Sequence, residues 1–278
     1  MFIAIIIFLI FLFQFPSCDE DWRMIGKGFR NKWNFPNCLG AIDGKHIAIR
    51  PPAGAGSFYY NYKGFHSQVL LGIANSNYEL IYFDFGTNGR VSDGGVFENS
   101  DFARKLSNGT LQLPNSSEID NVTLPYVFVG DEAFRMSQIL LKPFSQKQLT
   151  KERRIFNYRL SRARRIIENV FGILVARFGV FQKPINLDLT RIKSVVFACC
   201  ALHNFLRKLS PQSYTPSECL DSENHENGEV IEGVRNAPNI NLQRSRQGNP
   251  ERSALETREL FLQYFNTNGT VPWQDKFV

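Results

Sequence analysis

Leu39-Gly-Ala-Ile-Asp-Gly-Lys-His-Ile-Ala-Ile49 is the stretch on which the fold turns. Apolar residues surround one carboxylate, Asp43, and Pro51-Pro52 stops the run, so residues 39–49 read as a buried strand. Residues 67–75 form a second apolar run, Asn75 to Asn77 a turn, and residues 79–85 a third strand, a pattern that predicts a hairpin. A glycine-rich loop over 86–95 carries Arg90 and Asp93, a helix is expected over 96–106 and a polar loop over 107–123. Pro125-Tyr-Val-Phe-Val129 reads as a buried strand that ends at Gly130-Asp131, with a short helical piece expected after it. From 149 to 178 there is one long helical pattern. Leu160, Ala163, Ile167, Phe171, Leu174 and Phe178 keep the three-or-four spacing that makes a single apolar stripe. Residues 189–209 read as a largely buried helix.

Three consecutive antiparallel strands, then a crossover to a parallel strand and long helices, make an α/β protein with a mixed sheet covered by helices. This topology resembles the RNase H-like one, a mixed five-stranded sheet flanked by helices. The expected organisation is an apolar leader over 1–20, a core domain over 21–209, and a polar linker with a C-terminal helix over 210–278. The linker, rich in Asn and Glu to about residue 248, reads as loose chain, and the last helix as residues 253–265.

The 278-residue chain carries a net charge of +6, unevenly spread. From Pro211 onward there are ten acidic and six basic residues, so the preceding part carries the whole positive excess. A basic body favours polyanions, nucleic acid first, although a solubilising surface has the same composition. Cys18, Cys38, Cys199, Cys200 and Cys219 show no metal-type spacing and read as thiols of a reducing compartment. Residues 2–13 are unbroken apolar sequence with no basic residue ahead of them. They fit a signal peptide, a membrane anchor, or a spurious or truncated start. Sequons at Asn108, Asn115, Asn121 and Asn268 fit secretion, but nothing else after residue 20 looks extracellular, which favours the third reading.

Candidate chemistry rests on acids. Asp43 is a carboxylate inside an apolar strand, which costs free energy unless it is paired or holds a metal; the bland alternative is a satisfied core or turn Asp. Asp131 ends a strand, where ligands gather in open sheets, or else caps the segment that follows. Glu168 lies on the long helix with Arg164 one turn before it; a plain surface ion pair is the competing reading. Gly172, one turn after, would leave room for a phosphate. Arg154, Arg159, Arg162, Arg164 and Arg165 make this helix a candidate phosphate-backbone track, against the ordinary case of a solvated charged face. Carboxylates in a basic protein suit two hard divalent cations, Mg2+ or Mn2+, held against a phosphodiester. In that arrangement Asp43 bridges while Asp131 and Glu168 each hold one side. His46, His66 and His203 read as structural hydrogen-bonders, the first two close to substrate. No Walker A loop, G-x-S-x-G elbow or H-E-x-x-H motif competes.

Six ordered blocks carry a family resemblance: Leu39-Gly-Ala-Ile-Asp-Gly-Lys-His-Ile47, Tyr62-Lys-Gly-Phe-His-Ser67, Gly89-Arg-Val-Ser-Asp93, Val129-Gly-Asp-Glu-Ala-Phe134, Ile167-Glu-Asn-Val-Phe-Gly172 and Ala198-Cys-Cys-Ala-Leu-His-Asn-Phe205. The chain resembles PIF/Harbinger transposases and the nucleases derived from them, over roughly residues 21–278. The closing Tyr264-to-Trp273 segment is similar too. The resemblance implies a DDE-type, metal-dependent DNA endonuclease, acting by hydrolysis or strand transfer in the nucleus and possibly also in the cytoplasm. It also implies a separate Myb-like DNA-binding partner. Homo-oligomers are compatible with it, and membrane association is not expected. The motif acids fall on Asp43, Asp93, Asp131 and Glu168. Topology favours Asp131 as the second triad member, with Asp93 an extra metal ligand or substrate contact. Most of the helical region that such proteins carry ahead of Trp33-Asn-Phe-Pro-Asn37 is expected to be missing. The competing functional readings are a domesticated, non-catalytic DNA- or protein-binding module and a secreted or membrane-tethered protein.

Overall fold

A computed structural model describes residues 15–147, 149–234 and 250–278, leaving the apolar leader to residue 14 outside the described residues. Strand β1 (Cys38–Ala48) lies at the centre. Strand β2 (Ser67–Ala74) pairs with it antiparallel, and β3 (Leu80–Asn88) pairs antiparallel with β2. Strand β6 (Val127–Val129) lies parallel on its other side, followed by β7 (Leu140–Leu141), giving the order β3-β2-β1-β6-β7. This is the expected five-stranded mixed sheet. Two small hairpins stand apart from it: β4 (Ser117–Ile119) with β5 (Val122–Leu124), and β8 (Ser222–Asn224) with β9 (Glu229–Ile231). Every residue of β2 is buried, which is why its sequence is apolar without alternation.

Helices cover both faces. Helix α1 (Asp19–Trp33) buries Trp22, Gly26 and Phe29 at helical spacing, so the stretch ahead of Trp33 holds an ordered helix. Trp22 packs with Ile42, Leu71, Val96, Phe102 and Phe128. Val96 belongs to α2 (Asp93–Glu98) and Phe102 to α3 (Asp101–Ser107). The single helix expected over 96–106 is therefore two helices, because the Ser100 side chain accepts from the Ala103 N–H and starts a new one. On the opposite face lie α4 (Lys151–Arg177), α5 (Leu189–Leu209) and α7 (Arg252–Asn266). Their Ile166, Ile167, Phe171, Val196, Phe261 and Phe265 share one cluster with Ala41, Ile47 and Leu70 of the sheet. Thr150 caps α4 through the Arg153 N–H, and Asp188 caps α5 through the Arg191 N–H.

His203 and Asn204 bolt α5 to the β2–β3 hairpin. Asn204 accepts from the Leu80 N–H at 2.8 Å and donates to the Leu80 carbonyl at 2.7 Å. His203 Nε2 lies 2.7 Å from the Tyr78 carbonyl, which can only accept, so Nε2 carries the proton. Nδ1 then accepts from the Tyr214 hydroxyl at 3.0 Å. Burial pushes the His203 pKa down from 6.5 to about 4, with Arg207 adding to the shift and the Tyr78 carbonyl opposing it.

Residues 211–234 are folded, contrary to the expected loose linker. Helix α6 (Pro211–Tyr214) supplies Tyr214, and the β8–β9 hairpin lays Glu223 across α4. One Glu223 oxygen stands 2.7 Å from Arg162 and the other 2.8 Å from Arg165, while the Tyr158 hydroxyl donates at 3.1 Å. Burial alone works against the Glu223 charge; Arg162 and Arg165 more than offset it and hold the pKa below the usual carboxylate range.

Two outcomes test these contacts. His203 stabilises the fold while neutral, because its folded pKa lies below its unfolded one. That stability is complete above about pH 6.5 and is lost as pH falls toward about 4, on the order of 3 kcal/mol in full. Urea melts of wild type and His203→Gln across this window are expected to show a shallower pH slope in the variant. Glu223→Ala strands two buried guanidiniums and is expected to lower unfolding free energy by about 3 kcal/mol; a loss under about 0.5 kcal/mol would show that the strap contributes nothing.

Candidate active site

The acids meet through register and one small residue. Ala41 of β1 pairs with Val129 of β6, so two residues further along Asp43 and Asp131 stand level at the carboxyl end of a parallel strand pair. Asp43 alternates with Ala41 and Ile47, which places it on the α4 side of the sheet. Its cross-strand partner on β2 is Gly72. A Cβ at Gly72 would stand 3.1 Å from Ile167 Cδ1 and 3.2 Å from Phe171 Cε1, tighter than ordinary packing. Glycine here lets α4 settle directly on the sheet beside Asp43, and Glu168 follows Ile167 on that helix.

The electrostatics of Asp43 register both other acids. The Asp43 carboxyl is pushed up to about 7, first by burial, then by the Asp131 charge, with Glu168 adding to it. Arg164 and the Gly44 N–H, which donates to Asp43 Oδ1 at 2.8 Å, pull the other way. Asp131 Oδ1 accepts from the Ala133 N–H at 2.8 Å, so the residues after it form a turn and not the expected short helix. Arg164 donates to Glu168 at 2.9 Å. Burial works against the Arg164 charge, but Glu168, Asp43, Asp131 and Glu132 together raise its pKa above the ordinary value. The i,i+4 pair read from sequence is real, yet it sits in an acidic cluster and not on a solvated surface.

Among the described residues, no three His, Cys, Asp or Glu side chains already stand in a metal-holding group. Asp93 opens α2, and its side chain lies outside the described residues. The donor set still fits a hard divalent cation. It consists of carboxylate oxygens around a single guanidinium, with Asp43 raised by burial and by the Asp131 and Glu168 charges, a field that calls for positive charge.

The basic track does not survive as read. Arg154 is exposed, and Arg164 belongs to the acidic cluster. Arg159, Arg162 and Arg165 are buried. Arg159 donates to the Gly269 carbonyl and Gln274 Oε1, each at 2.9 Å, and to the Asn34 carbonyl. Arg162 lies between the Trp33 and Trp273 rings and Arg165 pairs with Glu223. Three or four residues apart, these arginines share a helix face that the C-terminal chain covers. Gly172 is also buried, so it borders no open groove. His46 Nδ1 stands 2.8 Å from Ser67 Oγ, and His66 rests against Tyr60.

Sequence reasoning passed over Gly72, Lys45 and Lys142. Lys45 lies two residues from Asp43 on the same strand face, a relation the alternation of β1 already contained, and the Asp43 charge partly offsets the lowering of its pKa by burial. Lys142 feels Glu132 and Asp131 from β7's side of the sheet, and no local pattern signals it.

The chain is 28% identical over 188 residues to Protein ALP1-like of Arabidopsis thaliana, covering 64% of this chain and 45% of that one. It is 24% identical over 194 residues to HARBI1 of Rattus norvegicus and of Homo sapiens, both of which carry nuclease in their names, covering 69% of this chain and 52% of each relative. The chain thus spans about half the length of the curated relatives it matches. No solved structure matches it. Residues 42–204, more than half of the chain, match the DDE superfamily endonuclease family, with Asp43, Asp131 and Glu168 all inside the matched region. The chain belongs to the DDE superfamily of endonucleases.

Proposed function

We propose that this protein is a divalent-metal-dependent DNA endonuclease in which Asp43, Asp131 and Glu168 hold the metal and Asp93 can add a further oxygen. The observation that carries the reading is the docking of α4 at Gly72, opposite Asp43, with the Asp131 and Glu168 charges both acting on the Asp43 carboxyl. Mg2+ or Mn2+ bound among these carboxylates supplies Lewis-acid stabilisation of charge on the phosphate and activation of the attacking nucleophile. Asp43, the most buried of the three acids, is the central ligand; Asp131 and Glu168 flank it. Arg164 keeps the acidic cluster tolerable before DNA arrives. Its buried Nε–H meets no acceptor among the described residues, and a phosphate oxygen of the substrate would complete it. The same site serves water or a DNA 3′-hydroxyl as nucleophile, and the basic body draws DNA toward it. Action in the nucleus, with a separate Myb-like protein choosing the DNA sequence, is the setting we propose.

A second reading, a non-cutting DNA-binding module, is favoured by one observation: Glu168 is already engaged by Arg164. Incubation of the full chain with plasmid DNA and Mg2+ or Mn2+ separates the two. Cleavage is expected, and Asp43→Asn and Glu168→Gln are each expected to lower its rate at least about 100-fold; unchanged rates remove these residues from the mechanism, and metal-independent binding without cleavage establishes the module. In chelator at pH 8, Asp43→Asn is expected to raise the melting temperature, because a neutral amide relieves both the burial of charge and the repulsion from Asp131. A lowered melting temperature would show that the carboxylate is a structural group.

A further inference from the structure

Between Asp43 and Glu79 the chain has no acidic residue, while Lys45, Arg50 and Lys63 are cationic. This stretch contains the connection from β1 to β2, which leaves β1 beyond Asp43, at the end of the strand where the acids gather. Within it the side chains alternate. Tyr59 packs toward the core and Asn61 is 3% exposed, whereas Phe58, Tyr60 and Tyr62 stand 53%, 48% and 42% exposed. Three rings held in water at every second residue give up the stabilisation that burial would bring.

The loop holds them there by an ordered scaffold. Asn61 Oδ1 accepts from the Lys63 and Phe65 N–H groups, and Asn61 Nδ2 donates to Ser67 Oγ at 2.8 Å. The Asn61 N–H donates to the Phe65 carbonyl, and the Ser67 N–H to the Tyr59 carbonyl. His46, three residues beyond Asp43 and so on the opposite face of β1, meets the Tyr62 ring edge-on at 5.8 Å. The Gly89 N–H donates to the Ser67 carbonyl, which brings the exposed Arg90 to the same end of the sheet. Arg50, at the loop's start, is exposed as well. Flat apolar rings set among cations, in the loop that leaves the carboxyl end of β1, match a polyanion whose units carry π faces. A paired duplex hides those faces, and unpaired bases present them.

We propose that Phe58, Tyr60 and Tyr62 form a stacking platform for unpaired nucleobases of the DNA strand whose phosphate enters the Asp43–Asp131–Glu168 site. The proposal rests on the endonuclease reading and extends it to the form of the substrate: DNA with single-stranded character beside the scissile bond. Stacking positions the strand, so these rings act on binding and not on the chemical step.

The test uses the full chain in chelator, where DNA stays uncut, and two oligonucleotides of equal length. One is a duplex with a single-stranded overhang carrying 2-aminopurine; the other is fully paired. The wild type is expected to bind the overhang more tightly and to quench its fluorescence. Phe58→Ala/Tyr60→Ala is expected to bind the overhang at least about tenfold more weakly and to lose the quench, with paired-duplex affinity and salt dependence unchanged. Phe58→Trp/Tyr60→Trp retains both, and an unchanged melting temperature for the alanine pair verifies folding. Unaltered overhang binding by the alanine pair, or an equal loss on both oligonucleotides, overturns the platform. Metal-dependent cleavage with no effect of the rings sinks the platform and leaves the endonuclease reading intact. Ring-dependent quenching with no cleavage does the reverse.

Discussion

The approach of α4 to the sheet at Gly72 is the constraint on which the rest depends. A helix and a sheet can come this close only where no side chain intervenes, and a Cβ at Gly72 would press on Ile167, Leu80 and Phe171. The apolar stripe of α4 supplies the adhesion, since Ile166, Ile167, Val170 and Leu174 are all buried. The consequence is electrostatic. Glu168 is carried toward Asp43 and Asp131 by packing that its own carboxylate opposes, so core packing overcomes repulsion among the acids. Arg164, one turn earlier on the same helix, moderates the conflict and arrives by the same docking.

The chain treats its arginines in two ways. Arg164 works among acids at the edge of the sheet, while Arg159, Arg162 and Arg165, on another face of the same helix, join α4 to the Trp33–Asn34 corner and to the C-terminal chain. Buried guanidiniums tolerate this only because each finds fixed acceptors: backbone carbonyls, Gln274 and Glu223. The C-terminal segment therefore braces the helix that bears Glu168. Stacking of His225 on Trp273 at 4.2 Å ties that segment to the β8–β9 hairpin.

Much of this was legible in the residues. The mixed sheet, the long stripe of α4 and the bounds of α5 follow from local periodicity, and the places of Asp43 and Asp131 on paired strands follow from which strands carry acids. The failures share a cause. The helix at 19–33 has its signal in Trp22, Gly26 and Phe29, but an apolar leader dominates that end of the chain. The polar stretch after Ser210 looks loose because the partners that organise it are distant in sequence, as with Glu223, whose arginines lie 58 and 61 positions earlier. The basic run of α4 looks like a phosphate track because charge is visible in sequence and burial is not.

By itself the sequence determined the main strands and the two long helices, which family they belong to, and that acids would stand on the strands of a basic protein. Periodicity and composition are local properties, and each segment carries its own. Tertiary structure alone decided which cations face outward, that Gly72 is the seat of α4, and that the ring-bearing loop stands at the carboxyl end of β1. Those outcomes depend on contacts between residues far apart in the chain, where the energy of a side chain is set by the partner that reaches it and not by its neighbours in sequence.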